Sequence, residues 1–321
     1  MMRRREFIAL LSAAAGARPL AARAQQVPVI GMLAFGSTGP LRQPGMMAAL
    51  SENGYVEGRN LELDFRWGPP EQMPAFAAEL VRRKVAVIFA GGPPAVRAAM
   101  QATTIIPIVF GIGEDPIKEG LVANLSRPGG NVTGFTNFSN QLVAKRVDLL
   151  HQLVPTATQL GFLANSTNPN IEPDTADVRA AADALGLRLQ LVTASSEREL
   201  ESAFDGIARQ GIETLLVGVD PWFREQRQRI ASLAARYRVP ASYERRDFAE
   251  AGGLFSYGTD VAESQRQEGI YIARILRGAK PAELPVQQAT KFEFIINLRT
   301  AKALGLTVPP TMLVVADQVI E

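Results

Sequence analysis

Predicted strands and helices alternate along the chain, and this alternation restricts the fold more than any single motif. Apolar, β-branched stretches at 85–90 and 105–112 predict buried strands, and the segment between them, 94–102, has a helical pattern. The alternation restarts with a predicted helix over 140–153 and continues to a helical segment over 311–320. Strands joined by helices of this length form parallel sheets covered on both faces. The sequence therefore predicts an α/β protein of two doubly wound parallel-sheet lobes.

The N-terminal segment has the pattern of an export signal. Three arginines, Arg3–Arg5, precede an apolar stretch at 7–15 that is too short to span a bilayer. Ala22-Arg23-Ala24 is typical of a signal-peptidase site before Gln25. The run RREFI at 4–8 also resembles the twin-arginine export motif, so both export routes stay open. We predict that residues 1–24 are a cleaved signal peptide and that the mature protein is periplasmic.

Composition excludes several kinds of chemistry. The chain has no cysteine and one histidine, His151, which excludes thiolate metal sites, cysteine nucleophiles and sites built on two histidines. Of 34 basic and 32 acidic residues, five arginines and one glutamate lie in the first 24 positions, so 29 basic residues face 31 acidic ones beyond them. No basic field is left to bind nucleic acid. We expect no cofactor and no metal.

The candidate ligand site lies in the loops that follow the strands, because open α/β sheets bind ligands outside the carboxyl ends of their strands. Hydroxyls and amides there suit a carboxylate, the two acids suit an ammonium, and the rings suit stacking. The same acids could instead cap helices, the asparagine could serve a turn, and the tyrosines could pack in the core. The candidates are Ser37, Thr38, Gly91, Gly92, Asp115, Asn165, Asp220, Trp222, Tyr243 and Tyr257.

Several segments together resemble a known family. They are Asp115-Pro116 with the following GLV, the run LSRPGGNVTG at 125–134, the pair GGL and SYG at 252–258, and KFE with NLRTAKALGL at 291–306. In this order they resemble the periplasmic substrate-binding proteins of ABC transporters, in the tryptophan-uptake-like group. The resemblance spans residues 28–321, almost the whole chain beyond the predicted signal.

The resemblance implies a type I periplasmic-binding fold, whose two lobes are joined by three crossovers and close around a ligand. It places the first lobe at 25–135 plus about 258–284, and the second at 136–257 plus about 285–321. It also implies a monomer that delivers a small molecule, with an aromatic amino acid or aromatic carboxylate the leading choice, to a membrane permease. The family commonly has a hydroxyl residue in the loop at 91–94, where this chain has Gly-Gly-Pro-Pro. The glycine amides could still donate there, but the prolines cannot.

Two alternatives to transport remain at this point. A periplasmic sensor that passes its closed state to a receptor would use the same ligand-driven closure. An exported α/β hydrolase or transferase would need a nucleophile elbow of the G-x-S-x-G type, and the sequence contains none. We therefore expect a binding protein that works by lobe closure and is not an enzyme.

Overall fold

Two β-sheets, each flanked by helices, organise the protein, which we describe from a computed structural model covering residues 27–35, 43–137 and 142–321. This confirms the predicted fold class. The predicted export signal and the candidates Ser37 and Thr38 lie outside the described residues. Within the described ranges, no helix has the length and apolar character needed to cross a membrane.

The first sheet has six strands in the order β11-β5-β4-β3-β1-β2, and all neighbouring pairs are parallel. Its strands are β1 (Val29–Phe35), β2 (Glu62–Gly68), β3 (Val87–Gly91), β4 (Ile108–Ile112), β5 (Val132–Thr136) and β11 (Gln287–Gln288). The helices of this lobe are α1 (Pro44–Glu52), α2 (Met73–Arg82), α3 (Pro93–Ala102) and α10 (Val261–Leu276).

Alternate residues of the central strands of the first sheet bury against different helices. Ile88 and Phe110 pack in the cluster with α2 and α3, whereas Val87, Phe89 and Val109 pack with α1 and α10. Burial on both faces explains why these strands are almost continuously apolar. Strand β4 begins later than the sequence predicts, because the Thr103 hydroxyl accepts the Ile105 and Ile106 amides in a turn and leaves Ile105 86% exposed.

The second sheet has seven strands in the order β13-β12-β10-β9-β8-β6-β7, with one antiparallel pair, β10 and β12. Its strands are β6 (Gln159–Ala164), β7 (Arg188–Thr193), β8 (Thr214–Val217), β9 (Ala241–Tyr243), β10 (Phe255–Thr259), β12 (Phe292–Asn297) and β13 (Gln318–Ile320). Its helices are α4 (Val143–Leu153), α5 (Ile171–Ala184), α6 (Glu197–Gln210), α7 (Pro221–Glu225), α8 (Arg227–Arg236), α9 (Arg246–Glu250), α11 (Leu298–Ala303) and α12 (Pro310–Val315). The segment predicted as one helix over 311–320 is therefore a helix followed by a strand, since Gln318–Ile320 pairs with β12.

The chain passes between the two sheets after β5, after β10 and after β11. The last residues of these strands are Thr136, Thr259 and Gln288. The lobe boundaries predicted near 135, 257 and 284 stay predictions of domain organisation. The passages after β5 and β10 border the cleft described next, because Asn137 and Thr259 are among the residues that line it.

Candidate functional site

A cleft of about 270 Å³ lies between the lobes, at the carboxyl ends of the parallel strands. The end of β1 and the loops after β3 and β4 line it from the first lobe, and loops after β8, β9 and β10 line it from the second. Among the described residues, a hydrogen bond crosses it from Asn170 Nδ2 to Glu114 Oε1 at 2.6 Å. The described parts of the two lobes are therefore in direct polar contact at the site.

Large apolar side chains of the first lobe line the cleft, and we call them the first-lobe wall: Met32, Phe35, Phe65, Trp67, Phe89 and Ile112. Gly92 shapes this wall, because its φ of +84° suits glycine and a Cβ there would lie 2.3 Å from the ring of Phe35. Arg66 also reaches the cleft from the edge strand β2, where Asp64 and Glu79 pair with its guanidinium. This wall can pack against a flat apolar ligand.

Two glutamates interrupt the first-lobe wall. Glu114 follows β4; its Oε2 accepts the Gly113 amide at 3.0 Å, and burial raises its pKa to about 7. Glu268 projects from α10 with 7% of its surface exposed, and burial raises its pKa to about 8. Near neutral pH, Glu268 is therefore largely protonated and Glu114 is about half protonated. Both acids can donate as well as accept hydrogen bonds.

The second lobe presents charged groups, which we call the second-lobe wall: Arg146, Arg224, Glu244 and Arg245. Arg146 is 1% exposed and donates to the Val217 carbonyl at 2.6 Å and the Ser242 carbonyl at 3.1 Å. Burial lowers its pKa to about 10, against the opposing charge of Glu244, so it stays a cation at neutral pH.

Glu244 follows β9 and lies among the arginines of the second-lobe wall. Burial raises its pKa, while Arg146, Arg245 and Arg224 act in the opposite direction. Glu244 Oε2 and Arg224 Nε are buried and have no hydrogen-bond partner among the described residues. An unpaired buried donor and acceptor in one wall can together bind the carboxylate and ammonium of a zwitterion.

Three sequence-predicted site residues line the cleft: Gly91, Gly92 and Tyr257. Asp220 is buried and is not among the lining residues, and its carboxylate accepts the Trp222 and Phe223 amides and caps α7. The amides of Asn165 and Asn168 donate to the same carboxylate at 3.1 and 2.9 Å. Asp220 and Asn165 therefore form one buried network that shapes the loop, and their ligand-binding roles stay predictions.

Asp115, Trp222 and Tyr243 are not among the residues that line the cleft. Asp115 accepts the Ile117 and Lys118 amides, and its neighbour Glu114 faces the cleft instead. Tyr243 is fully buried with its ring stacked on Phe248 at 4.9 Å. Trp222 packs against Phe223 at 5.5 Å. Their ligand-binding roles, like those of Ser37 and Thr38, stay predictions.

Sequence reasoning missed the charged residues that line the cleft, among them Glu114, Arg146, Arg224, Glu244 and Glu268. A signal existed for two of them. Arg146 shares a helix face with Val143 and Leu150, and Glu268 shares one with Ile272 and Ile275, all of which are buried. Charged residues are rarely buried, so a charged residue on an otherwise apolar helix face indicates a functional site.

No group of three or more metal-ligating side chains occurs within residues 27–35, 43–137 and 142–321. His151 lies in the last turn of α4 and is not among the residues that line the cleft. The site therefore offers hydrogen bonds, charges and apolar surface to a ligand.

The fold and this cleft define a two-lobed protein that binds a small molecule between its lobes. The chain belongs to the family described as ABC transporter substrate binding protein, whose sequence model matches residues 29–320. This confirms the resemblance stated from the sequence.

Similar proteins come from several bacteria. A tyrosine-binding protein of Clostridioides difficile is 27% identical over 265 residues, which cover 82% of this chain and 76% of that protein. A conserved domain protein of Vibrio cholerae has a TM-score of 0.82 at 27% identity, covering 92% of this chain and all of that one. An ABC domain from Streptococcus pneumoniae in complex with L-Trp has a TM-score of 0.79 at 28% identity, covering 91% and 99%.

Proposed function

We propose that this protein is an exported carrier that binds an aromatic amino acid, or a related aromatic carboxylate, and delivers it to an ABC permease. The observation that supports this most is the division of the cleft into an apolar, aromatic first-lobe wall and a charged second-lobe wall. An aromatic amino acid has the same division, with a flat ring at one end and a zwitterion at the other. The similar proteins named for tyrosine and solved with L-Trp support the same ligand class.

The zwitterion needs a cation and an anion from the protein. Arg224, whose Nε is unpaired, is our choice for the ligand carboxylate. Glu244 is our choice for the ammonium, because its Oε2 is unpaired and the positive charges of the neighbouring arginines oppose the rise in its pKa that burial causes. Ser37 and Thr38, which come shortly after the cleft residue Phe35 in the sequence, stay proposed donors to the carboxylate.

The proposed cycle needs no covalent step. The lobes close around the ligand, the Asn170–Glu114 hydrogen bond helps to hold them together, and the permease receives the closed form. We propose that the protein acts as a monomer, is not an enzyme and has no nucleic-acid partner. Export with cleavage before Gln25 completes the proposal and places the carrier in the periplasm.

Thermal-shift and calorimetric titration of the exported protein test this function. Tyrosine, tryptophan, phenylalanine and aromatic acids are compared with aliphatic and charged amino acids. A ligand at 100 times its dissociation constant adds about 2.7 kcal/mol of stability. We expect an aromatic compound to give this stabilisation and aliphatic ones to give none. Stabilisation by non-aromatic compounds alone would overturn the proposal.

A pair of variants assigns the carboxylate contact. Arg224→Gln removes the charge in the cleft and should weaken aromatic amino-acid binding about tenfold or more, the loss expected for one charge-assisted hydrogen bond. Arg229→Gln is the matched control, because Arg229 lies on α8 and pairs with Glu197 and Glu201 at the surface. Equal effects of both changes would show that Arg224 does not bind the ligand.

A further inference from the structure

Glu268 is buried in the first-lobe wall without a partner for one of its carboxyl oxygens. It is 7% exposed, it lines the cleft, and its Oε2 has no hydrogen-bond partner among the described residues. A Cβ at Gly111 would lie 2.2 Å from its Oε1 and 3.3 Å from the ring of Phe89. The missing side chain at Gly111 therefore provides the space that the carboxyl group occupies.

The polar neighbours of Glu268 on α10 are already engaged. Ser264 donates to Asn137 Oδ1 at 3.0 Å, and Gln265 accepts the Gly45 amide at 3.2 Å. Within the described ranges Glu268 forms no ion pair, and the rise in its pKa comes from burial. At neutral pH it is therefore mostly an uncharged acid, with one donor and free acceptor capacity.

An unpaired polar group inside an apolar wall costs free energy unless a ligand pairs with it. The opposite wall already offers arginines and a glutamate to the charged end of an amino acid. The ring of such a ligand would then lie along the first-lobe wall, where Phe89 and Met32 accompany Glu268. The polar group facing Glu268 is consequently at the far end of the ring.

We propose that Glu268 determines specificity by hydrogen-bonding an O–H or N–H group on the ligand's ring, so that the protein prefers tyrosine or tryptophan to phenylalanine. This inference rests on the proposed function. It gives the cleft a way to reject a ring without a donor, since such a ring leaves the buried carboxyl unpaired.

Calorimetric affinities for tyrosine, tryptophan and phenylalanine test the inference. The wild-type protein should prefer one donor-bearing ligand to phenylalanine by about tenfold or more. Glu268→Leu should abolish this preference and leave phenylalanine binding unchanged or tighter, because leucine removes the unpaired carboxyl. Glu268→Gln, which keeps a donor and an acceptor, should retain most of the preference.

Two further variants guard the interpretation. Gly111→Ala should turn the Glu268 carboxyl away and reduce the preference while keeping the acid in the chain. Glu263→Gln is the control, because Glu263 lies on the same helix, accepts a bond from Gln267 and does not line the cleft.

The outcomes separate the inference from the function on which it rests. If wild type binds all three ligands equally, or if Glu268→Leu weakens all three alike, Glu268 does not recognise the ring and the aromatic-ligand function stands. If wild type binds no aromatic compound, the proposed function fails first.

Discussion

Two buried glutamates, one in each wall of the cleft, have opposite surroundings. Burial raises the pKa of Glu268 in the first lobe, and this residue forms no ion pair with the described residues. Glu244 in the second lobe is also buried, but three arginines counteract the effect on its pKa. The same side chain is thus an uncharged hydrogen-bonding group in one lobe and part of a charged cluster in the other. The surroundings, more than the residue type, determine what each can bind.

The largest expected effect comes from breaking the charged cluster. Arg146→Met leaves the carbonyls of Val217 and Ser242 without their donor and leaves Glu244 with one cation fewer. We expect a loss of about 3–5 kcal/mol in unfolding free energy, the usual cost of removing one partner from a buried charged group. Urea unfolding measures it.

The exposed neighbour of Arg146 is the matched control. Lys145 pairs with Asp148 at the surface, so Lys145→Met should change stability by no more than about 0.5 kcal/mol. A similar small loss for Arg146→Met would mean that the second-lobe wall does not depend on its buried cation.

The next effect separates a capping role from a ligand role for Asp220. Asp220→Ala removes the acceptor for two backbone amides and two asparagine side chains and should cost about 2 kcal/mol. Asp220→Asn keeps a capping oxygen and should retain most of the stability and the ligand affinity. A tenfold loss of affinity in Asp220→Asn, with stability intact, would instead support the ammonium contact predicted from the sequence.

A third prediction concerns how the protonation of Glu268, the buried acid of the first lobe, makes stability depend on pH. Because folding raises the pKa of Glu268 from 4.5 to about 8, the folded state binds more protons than the unfolded state between these values. Its contribution to stability is fully present below about pH 4.5 and is lost as pH rises through about 8, by up to about 1.4 kcal/mol per pH unit. Glu268→Gln should remove this slope.

Unfolding curves of wild type and Glu268→Gln from about pH 5.5 to about pH 8.5 give the comparison. Glu114 and Glu244 titrate in both proteins, so the difference belongs to Glu268. Parallel stability profiles would show that the Glu268 carboxyl is not desolvated.

The smallest expected effect concerns the hydrogen bond between the two lobes. Asn170→Ala removes the hydrogen bond to Glu114 and should weaken ligand binding by about 1 kcal/mol, or about fivefold, because closure loses one contact. Small-angle scattering should show the ligand-bound form closing less completely. An unchanged affinity would mean that the contact does not favour the closed state.

The sequence predicted the α/β fold well because periodic apolar runs in long elements carry a strong signal. The end of the chain was predicted less well, because the short strand Gln318–Ile320 is stabilised by its pairing with β12. The local sequence pattern does not show such a pairing with another segment. At the site, strand order correctly indicated where the cleft lies. Strand order could not tell which of Glu114 and Asp115 lines the cleft, since the backbone conformation of the loop decides where each side chain points.

The packing of α10 against α1 affects how the first lobe folds. The amide of Gly45 bonds to Gln265, a partner 220 positions later in the chain. Tyr271 and Ile272 on α10 cover the same core face as Ile30 and Val87. During synthesis the first five strands emerge long before this helix, so α1 alone covers part of their apolar face while β6 to β10 of the second lobe are made. Such high contact order slows folding, and it makes this exposed sheet face the surface most in need of a chaperone.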